Sequence, residues 1–452
     1  MVSRNLKFAL LAVLFLAGLA WVSGVLIGRW SERAAVSTTE ELDRLPALAT
    51  VANDWPWWRG PGADNHAAAG QNPPLHWSEK EHVLWKIELP GRGHATPCVF
   101  GDRIFLPAGD PAAESIWLLC LDRTTGQQLW RTDVYRGPLP KIHDDNSPAS
   151  ATPACDGRRV YFPYQTEEAV CLAAVRLDGE VIWNKAVGPY KSIQGYSASP
   201  ALYQSLVIVP VDGSLGNHLV ALRRGTGEEA WRSPLPQGLE SYASPLAARV
   251  AERDQVVVIG GKKTSSYAPA GGEPLWQCDG PADYCAAVVA FDQDTVYVTG
   301  GYPQKALLAI RADGAGDVTR THVRWQSDKK AGYVPSPLLH DGLLYAVSDS
   351  GLFRCYDTVN GKVVWEHALK APFYSSPVLV GDRIYVFDRE GKGYVIKAGR
   401  QFDLLARNEL PDGVFATPVI LNGRIYLRTL KDFYCLGETP QGPSEAESER
   451  LP

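Results

Sequence analysis

The sequence predicts an all-β chain folded as an eight-bladed β-propeller of four-stranded antiparallel blades, and three observations carry that prediction. Tryptophan recurs near the end of an apolar run at Trp85, Trp130, Trp183, Trp231, Trp276, Trp325 and Trp365, with Leu405 in an eighth slot. A Ser/Thr-Pro phrase follows each in step: Thr96-Pro97, Thr152-Pro153, Ser199-Pro200, Ser244-Pro245, Ser336-Pro337, Ser376-Pro377 and Thr417-Pro418, with Ala286-Ala287 standing in once. Between these marks, as in "SSPVLVGDRIYVFDREGKGYVIKAG" (375–399), short runs of β-branched and aromatic residues are broken by glycine turns, and no helical period persists. Three strands and a tryptophan-bearing fourth over about 40–50 residues make one propeller blade.

Composition agrees. The 42 Gly, 33 Pro and 10% aromatic residues suit short strands and tight turns. A ring of repeats also explains how 452 residues fold without dividing into several cores, since single cores stop growing at roughly 250–300 residues. The net charge of −5 is spread along the chain, so no basic stripe tracks a phosphate backbone. Nucleic acid is not an expected partner.

In chain order, Arg4 and Lys7 precede an uncharged run from Phe8 to Gly28, and Arg29 and Arg33 follow it. A helix of that length spans about 30 Å, the thickness of a bilayer core. Residues 1–30 are therefore expected to form a transmembrane signal anchor, the alternative being a signal peptide removed near Val22-Ser23-Gly24. Either reading places the remainder in the periplasm or extracytoplasmic space. Residues 31–53 read as a linker. Residues 54–82, opening on "DWPWWRGPGADN", read as a tryptophan-rich arm laid along the side of the propeller with its indoles buried. The ring is assigned to 83–437 and the polar segment 438–452 to a disordered tail.

Register predicts how the ring closes. The strand "HVLWKIELP" (82–90) precedes any complete unit, while "ATPVILNGRIYLRTLKDFYCLG" (416–437) ends after three strands. The N-terminal strand is expected to complete the C-terminal blade, which removes two open edges. Of the eight cysteines, Cys120, Cys355 and Cys435 share one repeat position and Cys98, Cys155 and Cys171 fall within strands, as packed thiols do. Cys278 and Cys285 flank a turn and are the one pair placed to be tested for a bridge in an oxidising compartment. No CxxCH phrase and no paired CxxC occurs, and no cysteine precedes Cys98, which excludes a lipid-attachment box.

Two phrases connect the chain to a family. "LLCLDRTTGQQLW" (118–130) and "RCYDTVNGKVVW" (354–365) resemble the Asp-x-x-x-Gly-x-x-x-Trp signature of pyrroloquinoline-quinone-like propeller repeats. Such repeats occur in quinoprotein dehydrogenases and in the β-barrel assembly propeller BamB. "WRGP" within 54–65 and "HDDNSPASATP" (143–153) are similar to phrases of exported bacterial quinoprotein-like repeat proteins, most of unassigned function. The resemblance implies that each indole packs on the neighbouring sheet, that glycine supplies the turn, and that the strand led by Ser/Thr-Pro is innermost.

On that reading, the residues just ahead of the phrase stand around one mouth of the central channel: His94, Ser150, Tyr196, Tyr242, Tyr284, Tyr333, Tyr374 and Phe415. Two explanations compete. The aromatics either pack as ordinary strand residues, or form a collar that binds a flat or extended ligand such as a peptide, sugar or quinone. The longest gap between a tryptophan and the next Ser/Thr-Pro holds Lys141, His143, Asp144, Asp145 and Asn146. These suit either a cation or positioned water, or a solvated loop.

The resemblance sets an enzyme against a binding module. A quinoprotein oxidoreductase acting on alcohols or sugars needs pyrroloquinoline quinone with Ca²⁺ held by oxygen ligands, a catalytic Asp and planar clamps. No Cys-Cys pair occurs here, and no set of Ca²⁺ ligands is identifiable. No G-x-S-x-G or H-E-x-x-H phrase is present either. The expected function is therefore a membrane-tethered extracytoplasmic scaffold without a cofactor, binding a protein or an extended peptide or saccharide. The quinone- and Ca²⁺-dependent dehydrogenase is the alternative.

Overall fold

The repeat folds as it does because its hairpin turns are short and its middle strands have nothing polar to turn outward. Val378–Val380, Arg383–Phe387, Lys392–Lys397 and Leu404–Glu409 pair consecutively and antiparallel. Gly381, in the first hairpin turn, has φ 60°, the positive value that a two-residue hairpin turn demands. The second and third strands are buried along nearly their whole length because neighbouring blades cover both faces, while Leu404–Glu409 alternates at the rim.

The computed structural model describes residues 53–438, apart from 237–239, 304–305 and 329–330. The expected anchor, residues 31–52 of the linker and residues 439–452 of the tail lie outside the described residues. Eight sheets follow in order. Blades 1 to 7 span 98–136, 154–189, 201–234, 246–279, 290–327, 338–368 and 378–409. Blade 8 joins 419–436 to the N-terminal strand Val83–Glu88, with Trp85 opposite Cys435 and Ile87 opposite Phe433. The predicted clasp is present.

Blade 4 carries a fifth short strand that was not predicted. Gly316–Asp317, on the excursion between the third and fourth strands of blade 5, pairs parallel with Pro274–Asp279. Trp276 correspondingly turns inward, and its Nε1 donates to Gln255 Oε1 at 2.7 Å within its own blade.

Elsewhere tryptophan and glycine form one joint. Trp130, Trp231, Trp325 and Trp365 each donate Nε1 to a carbonyl of the next blade's side, at 2.8, 3.0, 2.7 and 2.9 Å. Except at Trp365, the indole lies against a glycine: a Cβ at Gly361 would stand 2.5 Å from the Trp325 ring, and one at Gly126 2.7 Å from Trp85. The joint between Trp85 and Gly126 repeats across the closure, from blade 8 to blade 1.

The arm departs from expectation. Residues 54–67 cross the channel instead of lying along the outside. Trp55 exchanges both backbone hydrogen bonds with Val99 of blade 1, at 2.8 and 2.9 Å, and Pro56 O accepts from Cys155 N of blade 2 at 2.7 Å. Arg59, only 1% exposed, donates to Val289 O of blade 5 at 2.7 Å and to Pro337 O of blade 6 at 2.9 Å. Asn65 O and Ala67 N then pair with Leu379 of blade 7. Blades 1 and 5 are opposite in a ring of eight, so this short segment spans the axis. The physical reason is that innermost strands point unpaired backbone groups into the channel, and an extended segment satisfies them. Only further on does the arm run outside, where the Trp77 ring stacks on Tyr385 with centroids 6.3 Å apart and the Trp77 backbone N–H donates to Asn408 Oδ1 at 3.0 Å.

All eight cysteines are free thiols. Cys278 and Cys285 do not bridge; their sulfurs face the carbonyls of Asp279 and Ala282, at 3.5 and 3.8 Å.

Candidate functional site

The Ser/Thr of the recurring phrase builds a belt around the channel. Thr96 N donates to Thr152 Oγ1 at 3.1 Å, Thr152 N to Ser199 Oγ at 2.9 Å, and Ser199 N to Ser244 Oγ at 2.8 Å. The series resumes with Val288 N to Ser336 Oγ, Ser336 N to Ser376 Oγ and Ser376 N to Thr417 Oγ1, each at 2.9 Å, and closes from Thr417 N to Thr96 Oγ1 at 3.2 Å. Each hydroxyl thus accepts from the preceding blade, which is why the phrase recurs. Blade 5 places Val288 at this position, not Ala286, so the belt is interrupted there.

Two residues ahead of the belt, side chains face the mouth. They line a cavity of about 380 Å³, with the belt hydroxyls below them and Trp58 of the arm beside them. His94, Ser150, Tyr242, Tyr374 and Phe415 are among its walls, and in blade 6 Val334 holds this position with Tyr333, one residue further ahead, also on the wall. Tyr196 and Tyr284 are not. In blade 3 the residue two before Ser199 is Ser197; Tyr196, on the opposite face of the chain, is buried, with its hydroxyl on Pro210 O at 3.0 Å. In blade 5 the shift to Val288 brings Ala286 to the wall and leaves Tyr284 against Tyr302, centroids 6.3 Å apart.

The polar loop between blades 1 and 2 reaches over this cavity. His143 N donates to Ile193 O at 2.8 Å, and Asn146 Nδ2 donates to Gln194 O. Asp145 crosses to the far wall, where Tyr374 donates its hydroxyl to Asp145 Oδ2 at 3.1 Å and Arg389 forms an ion pair with Oδ1. The Arg389 guanidinium lies over the rings of Tyr374 and Phe415, 4.3 and 4.6 Å from their centroids. Burial opposes ionisation of Asp145, but the hydrogen bond and charge of Arg389 outweigh it and hold the carboxyl below its ordinary value. His94 stacks on Phe415 with centroids 4.5 Å apart. Burial, reinforced by Arg428 and Arg92, pushes the imidazole down to about 3, so it stays neutral.

The loop residues separate in role. His143, Asp145 and Asn146 line the cavity, whereas Asp144 and Lys141 are exposed and do not. His143 does not converge with Asp145 on an external atom; its Nδ1 accepts the Asp145 backbone N–H at 3.1 Å. Arg389 was missed by sequence reasoning because the turn "DREGKG" carries no motif; Trp58 was visible only as part of the arm.

The donor set does not fit a Ca²⁺-bound quinone. Among the described residues Asp145 is the one carboxylate on the cavity wall, and it is engaged by Arg389 and Tyr374. Among the described residues no group of three or more His, Cys, Asp or Glu side chains is placed to hold a metal ion.

The family model described as "Outer membrane protein assembly factor BamB" matches residues 54–192 and 314–402. BamB of Yersinia pestis is 22% identical over 67% of this chain, and this chain spans 64% of that protein's length. A polyvinylalcohol dehydrogenase from Pseudomonas sp is 23% identical over 85% of this chain and 74% of its own. The crystal structure of BamB from Moraxella catarrhalis superposes with a TM-score of 0.57 at 16% identity, covering 78% of this chain and 99% of that one, and shares the fold. With about half its length matched by that model and its eight blades joined by Trp–Gly seams, the chain belongs to the BamB family of pyrroloquinoline-quinone-like β-propellers.

Proposed function

We propose that this protein is an extracytoplasmic binding propeller, held at a membrane by residues 1–30, that captures an extended segment of a partner protein at the channel mouth. The observation that carries this reading is the cavity wall. It presents aromatic side chains from Tyr242 and Tyr333, with Tyr374 and Phe415 capped by Arg389, above a belt of hydroxyls, and its carboxylate is already neutralised. Aromatic faces bury apolar surface at small entropic cost while hydroxyls exchange hydrogen bonds with a backbone or a sugar. A saccharide uses the same chemistry and is the second ligand class to try. The hydroxyl–carboxylate pair on the wall, Tyr374 with Asp145, is tied up by Arg389, and among the described residues no metal-holding group of side chains is assembled, which favours the binding reading.

The test is a double substitution. Tyr242→Ala with Tyr374→Ala is expected to lower the thermal unfolding midpoint, since Tyr242 is buried, yet to leave the ring folded while abolishing capture of partner from native membranes. If the pair unfolds the ring, the collar is packing. Tyr242→Phe with Tyr374→Phe keeps the rings and separates loss of faces from loss of hydroxyls. Retention of added pyrroloquinoline quinone with Ca²⁺, together with alcohol- or sugar-dependent dye reduction, overturns the binding reading outright.

A further inference from the structure

The arm does not cover the channel evenly, and the uncovered part has the features of a second docking site. In an antiparallel hairpin, backbone groups alternate between the partner strand and the outside. Val99, Leu379 and Cys155 stand beside the closing pairs of their hairpins and direct their outward N–H or C=O groups to the arm, where Trp55, Asn65, Ala67 and Pro56 meet them. The same register places the outward groups of Leu202 in blade 3 and Ala247 in blade 4 toward the channel. Among the described residues, no hydrogen bond from 54–67 reaches either strand.

At this gap lies a groove of about 240 Å³, walled by Trp57 and Trp58 of the arm, by Leu202 and Ala247, and by Leu246 and Phe291. It is continuous with the contact the arm already makes, since Trp57, Trp58 and Arg59 line it and Arg59 bonds to blades 5 and 6. The edge accepts strands in both senses, for Trp55 pairs antiparallel with Val99 and His66 parallel with Leu379. Among the described residues no carboxylate lines the groove, Arg59 is engaged by carbonyls, and Arg249 is paired with Asp254 at 3.1 Å. An occupant is therefore uncharged where it enters.

We propose that this groove docks an extended, apolar segment of a partner polypeptide, which adds as a strand to the inner edge of blade 3 or blade 4 on the side of the arm away from the mouth. Main-chain bonds supply affinity, and alternate side chains enter between Leu246 and Phe291. The groove meets the mouth cavity at Trp58, Ser199, Ser244 and Val288 but holds none of the collar aromatics, and the proposal does not depend on that reading.

The probe is a random twelve-residue peptide library selected on the full-length protein. Proline is tolerated at an outward-facing position of an edge strand, where it removes only the outward N–H. Leu202→Pro with Ala247→Pro is therefore expected to keep the ring folded and to weaken selected peptides about tenfold or more. Methylating alternate backbone nitrogens of the peptide should do the same on the parent protein, a control that needs no variant to fold. The Tyr242→Ala, Tyr374→Ala protein should bind these peptides normally, which separates this site from the mouth. Failure to select any peptide, or equal binding of methylated and unmethylated forms, overturns the proposal. Binding that emerges only after deletion of residues 31–52 assigns the groove to this chain's own segment and likewise overturns it.

Discussion

At the seams between blades, Trp231 meets Gly272 and Trp325 meets Gly361 in the same way, and Trp85 meets Gly126 across the closure. Across the channel, apart from the repeated hydroxyl belt, the contacts are single: Arg59 reaches blades 5 and 6 once, and Asp145 meets Arg389 once, from 244 positions away. The difference separates two kinds of work. Seams are nearest-neighbour contacts whose stabilisation sums around the ring. The channel is filled by two non-repeating segments, the arm and the polar loop, and these give an otherwise symmetric ring a particular mouth and a particular unfilled edge.

The comparison can be broken most decisively at a seam. Trp231→Ala is expected to cost about 3–5 kcal/mol by chemical denaturation, through lost burial and the cavity left behind. Trp325→Ala should cost nearly as much, because both rings are 9% exposed and both sit on glycine. A large cost at one and a negligible cost at the other would mean that the seams are not interchangeable.

Arg59→Met tests the channel at the next level. It strips a guanidinium from Val289 O and Pro337 O and is expected to cost about 2 kcal/mol, since two buried acceptors lose a charged donor. The arm should also become cleavable by protease near Trp57 while the blades stay intact. Unchanged protection of the arm would show that Arg59 does not hold it.

Asp145→Asn sharpens the comparison at its smallest expected effect. The carboxylate is part-exposed and screened, so the loss at neutral pH should be below about 1 kcal/mol. Its sign with pH is fixed. A carboxyl held below its ordinary value stabilises the fold above that ordinary range, and the contribution is lost as pH falls through the lowered value. Parent and variant should therefore differ at neutral pH and converge in acid. A gap that persists unchanged in acid would place the latch elsewhere than in the Asp145–Arg389 pair.

Much of the collar was legible in sequence because its position is fixed relative to a repeated hydroxyl. His94, Tyr242, Tyr374 and Phe415 stand two residues before the belt, and all reach the cavity. Spacing alone does not decide the outcome: Tyr196 and Tyr333 both stand three before the belt, and Tyr196 is buried on Pro210 O while Tyr333 reaches the wall beside Val334. Tyr284 failed for another reason: with no hydroxyl in blade 5, Ala286-Ala287 passed for the phrase and concealed Val288 as the true position.

The sequence by itself determined the eight units, the clasp of Val83–Glu88 onto the last of them, and the Trp–Gly seams, because each depends on residues close in sequence or on a period that repeats. Only the tertiary structure decided that the arm enters the channel, that Arg389 pins Asp145 over the mouth, and that, among the described residues, the arm makes no hydrogen bond to the inner edges of blades 3 and 4. Those outcomes depend on which unpaired backbone groups and charges meet across the ring axis, and a single non-repeating contact leaves no period in the chain to announce it.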